Sequence, residues 1–301
     1  MRLSDQQLRV IESPLSSSIF LSGPAGTGKT TAGVNRLEFL LQSGVQGKTI
    51  LLFFPQRNLG TRYQKSITEF TLRGLSLPVL ATYGGLARRM LGLFWPIVIE
   101  NYPALQSDLQ PTFLTLESSL YFLSKLVEPL VQQEGFFSTV VIQRNRLYSQ
   151  ILDNLNKSAV HGFSHTEIAE RLRSSWIGDP AQEIIHQQAQ QAAENFREYC
   201  YQNNLLDYSL QIELFNQATR QIPIMQRYLS DQFDFLIYDN CEEDVPVAHD
   251  LIQMLMPQLE SNLVIYDQDA GYRNFLGASP ASAYSLSEKC ADTISFSISF
   301  T

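Results

Sequence analysis

Short apolar blocks alternate with stretches of helical periodicity along the first ninety residues. Residues 18–21 run apolar after Ser18, and residues 48–54 and 78–82 form two more blocks. Blocks this short, bounded by turn residues, predict buried strands. Between them, residues 30–41, 59–72 and 84–93 read as helices. Val34, Leu37, Phe39, Leu40 and Leu41 are the packing positions of the first, which ends near Gly44. A shorter helix over residues 3–13 opens the chain, with Ser4 and Gln7 in a capping-box pattern and Leu8 and Ile11 on its apolar face. Such alternation predicts a parallel sheet with helices on its faces.

From about residue 94 to residue 204 strand patterning nearly vanishes. Residues 112–132, 137–157, 164–173 and 181–204 read as helices, punctuated by Gly135, Gly162 and the Gly178-Asp179-Pro180 corner. Strands return at residues 233–238 and 263–266, each followed by acids, with a helix over residues 244–259 between them. Residues 294–300, I-S-F-S-I-S-F, alternate with period two like an edge or unfinished strand. The expected architecture is an α/β domain of residues 1–93 and 205–301 with an all-helical subdomain, residues 94–204, inserted in it. Phe94 and Trp95 read as core at the junction.

Composition refines this picture. Of 301 residues, 44% are hydrophobic and 17% charged, enough for a packed core. The net charge of −8 weighs against a global electrostatic footprint for nucleic acid but not against a local groove. Cys200, Cys241 and Cys290 have no metal-site spacing, and His161, His165, His186 and His249 are scattered. A reduced, cytoplasmic protein is expected. The polar N-terminus is no signal peptide, and no apolar run approaches the roughly 20 residues that span a bilayer, so no membrane partner is expected.

The chemistry centres on the end of the first strand. Gly23-Pro24-Ala25-Gly26-Thr27-Gly28-Lys29-Thr30 fits G-x-x-x-x-G-K-[ST] at every fixed position. Backbone N–H groups of such a loop wrap phosphates, and the following helix turns its positive end toward the anion. Gly23, Ala25, Gly26, Thr27, Gly28, Lys29, Thr30 and Thr31 are therefore the candidate nucleotide-binding residues. Lys29 is expected on the β- and γ-phosphates, with the Thr30 hydroxyl on Mg²⁺. A carboxylate for that metal is expected at the end of a neighbouring strand. Asp239, closing F-D-F-L-I-Y, takes this role, and Asp267 closes L-V-I-Y in the same way.

Several segments, in order, resemble the first motor domain of the UvrD/Rep-like superfamily 1 DNA helicases. Residues 3–10 resemble the adenine-recognition segment L-[NS]-x-x-Q-x-x-[AV]. By that resemblance the amide of Gln7 reads adenine; its other reading is the capping box. Residues 50–58 occupy the place of the family's second motif, with F-F-P-Q-R-N where F-T-N-[KR]-A is usual. Residues 81–87 resemble T-F-H-S-L-A, and residues 206–210 resemble L-D-F-x-D-L. Tyr238-Asp239-Asn240-Cys241-Glu242-Glu243 sits where V-D-E-x-Q-D belongs, and residues 266–278 align without gaps to G-D-x-x-Q-S-I-Y-x-F-R-G-A. The resemblance spans almost the whole chain. It implies a RecA-like P-loop NTPase domain with a helical insertion, using ATP and Mg²⁺ to move on single-stranded DNA.

Departures fall on catalytic positions. The family's general base is replaced by Asn240, whose amide takes no proton near neutral pH, a loss of about 10²–10⁴ in rate. Glu242 or Glu243 is the candidate substitute, by way of a shifted turn. The family's γ-phosphate-sensing glutamine falls at Ala270, and its base-stacking tyrosine falls at Arg273, next to Tyr272. Candidate DNA contacts are Arg57, Thr82, Tyr83, Tyr272 and Arg273, with Arg62, Lys65, Arg88, Arg89 and Phe275 beside them. Arg62, Lys65, Arg88 and Arg89 also read as ordinary solvated helix faces. The expected DNA is a single strand or a single/double-strand junction. The expected protein partner is a second RecA-like domain, from a longer parent protein or another chain. A non-hydrolysing, helicase-like subunit of a larger complex is the alternative.

Overall fold

The computed structural model of the protein describes residues 3–71, 76–175, 177–178, 183–269 and 271–297. Ala270, the Asp179-Pro180 corner and the end of the 294–300 pattern lie outside them. In chain order the elements begin with α1 (Asp5–Ile11), β1 (Ser18–Gly23), α2 (Lys29–Gln42), β2 (Ile50–Phe53), α3 (Thr61–Thr71), β3 (Val79–Ala81) and α4 (Tyr83–Asn101). There follow β4 (Thr112–Phe113), α5 (Leu116–Gln133), α6 (Arg144–His161), α7 (Ile168–Ser175), α8 (Glu183–Gln202), β5 (Leu205–Leu206) and α9 (Tyr208–Gln221). The chain continues with α10 (Pro223–Gln232), β6 (Phe235–Tyr238), α11 (Pro246–Leu255), β7 (Ser261–Asp267), α12 (Pro280–Tyr284) and β8 (Asp292–Ser295).

The chain divides into two compact units, Met1–Leu86 with Pro223–Thr301, and Ala87–Ile222. The division falls inside α4 and ahead of α10, not at residues 93/94 and 204/205. Two features account for the difference. Helix α4 runs unbroken through residue 93, and α9 packs against α6.

In the first unit six strands form one parallel sheet in the order β3-β2-β6-β7-β1-β8. This is a RecA-like α/β architecture. Strand β6 is buried along its whole length, as is β1 after Ser18, as expected where helices cover both faces. One face packs Leu21, Leu52, Ile237 and Ile265 against Leu37 and Leu40 of α2 and Tyr63 of α3. On the alternate face Phe53 meets Tyr238 edge-on, with ring centroids 5.1 Å apart. Burying each such side chain is worth about 1.5–3 kcal/mol.

Asp239 does not lie on a neighbour of β1. Strand β7 stands between, pairing Leu21 with Ile265 on one side and Ile237 with Leu263 on the other. Two strand spacings separate β1 from β6, roughly 10 Å.

In the second unit helices predominate, and β4 and β5 form a short parallel pair. The Arg197 guanidinium lies buried among Asp207 (3.0 Å), the Ser209 hydroxyl (2.7 Å) and Glu213 (3.7 Å). Asp207 also caps α9, accepting the N–H groups of Ser209 (3.2 Å) and Leu210 (3.1 Å). The L-D-Y-S-L segment is therefore a helix start held to a buried cation.

Candidate nucleotide site at the carboxyl edge of the sheet

The loop between β1 and α2 turns on glycines for a steric reason. At Gly23, φ is +153° and a Cβ would lie 2.5 Å from the carbonyl oxygen of Phe296. Gly28 sits left-handed at the N-cap of α2, with φ 79° and ψ 24°. The Thr27 hydroxyl donates to the Pro24 carbonyl at 2.9 Å and braces the turn. Lys29 is 7% exposed. Its ammonium donates to the carbonyls of Gly23 (2.7 Å) and Pro24 (2.6 Å) and pairs with Asp267 at 3.3 Å. The Ala25 N–H donates to the Asp269 carboxylate at 3.0 Å. Gly26 is left-handed, with φ 75°, and the Thr31 carbonyl accepts from Asn35 at 2.8 Å within α2.

Helix α2 leans across β7, which closes the distance to Asp239. A Cβ on Gly33 would lie 2.8 Å from Ile265 Cδ1 and 2.2 Å from the Tyr63 hydroxyl. The lean brings the Thr30 hydroxyl close enough to the Asp239 carboxylate to favour its charged form, despite the intervening strand. Asp239 is 1% exposed. It accepts the Tyr63 hydroxyl at 2.9 Å and the Asn240 N–H at 2.9 Å. Burial pushes its carboxyl above the usual range, against these hydrogen bonds and the charge of Lys29. A hydroxyl and a carboxylate are hard oxygen donors, the set that Mg²⁺ takes together with substrate phosphates and water. Among the described residues no group of three His, Cys, Asp or Glu side chains forms an all-protein metal cage. Thr30 and Asp239 would hold Mg²⁺ together with nucleotide oxygens.

The acids after Asp239 have separate duties. Asn240 is left-handed, with φ 59°, a conformation that Asn tolerates better than most side chains, and its amide donates to Glu242 at 3.4 Å. Glu242 is buried and accepts the Asp267 N–H at 3.0 Å. Burial pushes its carboxyl up to about 7, in part offset by that N–H. Glu243 accepts three successive N–H groups, from Gly271 (3.1 Å), Tyr272 (3.2 Å) and Arg273 (2.9 Å). Its carboxylate shapes the loop after β7. Nearby, His249 Nε2 meets the Cys241 carbonyl at 2.8 Å and Nδ1 meets the Ser282 hydroxyl at 2.7 Å. A carbonyl only accepts, so the proton sits on Nε2. Burial pushes this histidine down to about 4, and it is neutral.

Gln7 is 4% exposed and forms the expected capping box, with Oε1 accepting the Ser4 N–H at 3.0 Å. Its Nε2 donates to the Gly28 carbonyl at 3.3 Å, tying α1 to the phosphate loop. One N–H and one lone pair remain for a base.

The candidate DNA residues separate. Tyr272 is 81% exposed and Phe275 72%, and Arg57 is exposed as well. Arg273 donates to the Glu243 carbonyl at 3.3 Å and, with the Gln56 amide turned to satisfy its neighbours, to the Gln56 amide oxygen at 3.0–3.2 Å, joining the segments after β2 and β7. Tyr83 is 4% exposed, so its ring offers no open face for a base, a correction to the expectation from sequence. Thr82 caps α4, accepting the Gly85 N–H at 3.2 Å.

Sequence reasoning missed Tyr63, the Glu243 clamp and the Asp269 contact. Tyr63 had a signal: it shares a buried stripe with Ser66 and Ile67 at i, i+3 and i+4. The other two depend on a loop-to-loop approach that no periodicity encodes. No curated protein matches the chain. The family model of the UvrD/REP helicase N-terminal domain matches residues 3–291, and the chain belongs to that family of helicase-type, ATP-binding domains.

Proposed function

We propose that this chain is the nucleotide-holding half of a cytoplasmic DNA motor. It binds ATP with Mg²⁺ at the corner formed by Lys29, Thr30 and Asp239, and engages single-stranded DNA, at or beside a duplex junction, along the carboxyl edge of the sheet. A second RecA-like domain, supplied by another segment or another chain, closes over the nucleotide. The approach of the Thr30 hydroxyl to Asp239, with Lys29 held in the same loop, carries this reading. It joins the phosphate loop to the acid two strands away.

Lys29 exchanges its loop carbonyls and Asp267 for phosphate oxygens when nucleotide enters. Thr30 and Asp239 would hold Mg²⁺, which would supply positive charge to the phosphates. Gln7 offers its free N–H and lone pair to adenine. Asp267 and Asp269, released from the loop, connect the nucleotide to the segment bearing Tyr272 and Arg273. Exposed Tyr272 and Phe275 suit stacking on bases with little sequence preference, and Arg57 and Arg273 suit the backbone. Glu242 is the acid left to take a proton from water, and its value of about 7 suits that task.

Asn240 favours a second reading, a subunit that binds ATP and DNA without turning over. One experiment separates the two: ATP hydrolysis by the assembly containing the second RecA-like domain, with and without oligo(dT), in the parent and in Glu242→Gln. The motor reading predicts DNA-stimulated turnover that falls about 10²–10⁴-fold in the variant. Binding of both ligands with turnover indifferent to DNA refutes the motor and supports the second reading.

A further inference from the structure

We infer that Tyr63 is a positioning residue for the magnesium carboxylate: its hydroxyl holds Asp239 in one orientation beside the phosphate loop. The inference rests on the magnesium reading of Asp239 and goes beyond it by naming what aims that acid.

The arrangement is specific. Tyr63 is fully buried, and its hydroxyl donates to Asp239 Oδ2 at 2.9 Å. The other oxygen, Oδ1, accepts the Asn240 N–H at 2.9 Å, so each oxygen has its own donor and the carboxylate plane is fixed. The phenol ring is braced by Phe54, with centroids 5.1 Å apart. The hydroxyl itself fits into a notch that only a glycine leaves, since a Cβ at Gly33 would come within 2.2 Å of it. That notch lies on α2 one turn beyond Thr30. A single phenol oxygen thus touches the helix that bears the metal hydroxyl and the acid that completes the donor pair. Tyr63 belongs to α3, which follows directly on the segment of Arg57, so the metal acid is fastened to the candidate DNA-contacting side of the sheet.

A merely structural tyrosine would stabilise the core without affecting metal use. The test is binding of fluorescent N-methylanthraniloyl-ATP to the full chain as Mg²⁺ is titrated, in the parent and in Tyr63→Phe. The expected result is nucleotide affinity in EDTA unchanged within twofold. The Mg²⁺ concentration for half-maximal enhancement should rise about tenfold, the low end for losing a hydrogen bond to a charged group. Phe54→Leu, which disturbs only the ring packing, should leave that concentration unchanged. If Tyr63→Phe does not fold, the double variant Gly33→Ala/Tyr63→Phe serves instead. Its added methyl takes the space of the lost oxygen once Ile265 Cδ1, which would stand 2.8 Å from it, turns aside, and the same tenfold shift is expected. A parent-like Mg²⁺ midpoint in whichever variant folds overturns the inference. A parent chain whose nucleotide binding ignores Mg²⁺ overturns the magnesium reading and this inference with it.

Discussion

Glu243→Ala should free the loop after β7 while leaving the phosphate loop intact. In the parent, one carboxylate accepts the N–H groups of Gly271, Tyr272 and Arg273 at 2.9–3.2 Å. Each hydrogen bond is worth about 0.5–1.5 kcal/mol net. Glu243 is half-buried and the bond from Tyr272 lies at the surface, which favours the lower half of that range. Three bonds then hold the loop by about 1.5–3 kcal/mol, which local opening converts into about 10- to 150-fold faster amide exchange. Hydrogen exchange read on residues 271–273 measures this directly. Anisotropy of labelled oligo(dT) measures the consequence, an affinity at least severalfold weaker, because Tyr272 and Arg273 lose their fixed placement. Nucleotide affinity should stay within about twofold, since Glu243 touches none of Lys29, Thr30 or Asp239. Unchanged exchange at these amides would refute the clamp. Faster exchange with undiminished DNA binding would refute the assignment of this loop to DNA.

Two further outcomes follow from buried charges. Glu242 has a raised carboxyl, about 7 against an ordinary 4.5, so the folded chain holds more protons there than the unfolded chain between those values. Its contribution to stability therefore falls as pH rises through that window, by about 3 kcal/mol in all. Glu242→Gln escapes this loss, so its melting temperature relative to the parent should climb from pH 4.5 to pH 8. A difference flat with pH would contradict the burial argument. Arg197→Ala leaves Asp207 buried without its 3.0 Å partner and should cost about 3–5 kcal/mol in urea denaturation, whereas a cost below about 1 kcal/mol would show the network to be dispensable.

The first strand, its glycine loop and α2 were legible because three local signals coincide there: an apolar block, a phosphate-loop pattern and helical periodicity. Asp239 was legible as an acid at a strand exit, but its strand's place in the sheet was not. Sheet order is a non-local property, and the lean of α2 over β7 is set by the absence of a side chain at Gly33. Helices α9 and α10 were not legible because buried polar positions such as Ser209, Gln211 and Thr219 blur the apolar periodicity there. The helical pattern over residues 112–132 covers residues 112 and 113, yet these pair with Leu205 and Leu206, nearly a hundred residues away in sequence. The Glu243 clamp was hidden for a similar reason. A carboxylate next to a metal acid resembles a catalytic group until its three N–H partners, about thirty residues on, are seen.

The central claim is that the turn around Lys29 grips a nucleotide triphosphate. Titration calorimetry of ATP with Mg²⁺ into the parent chain and into Lys29→Ala tests it most directly. The account predicts saturable binding by the parent and at least about 30-fold weaker binding by the variant, the effect of removing one member of a buried charge pair. Equal affinity in the two chains would contradict it.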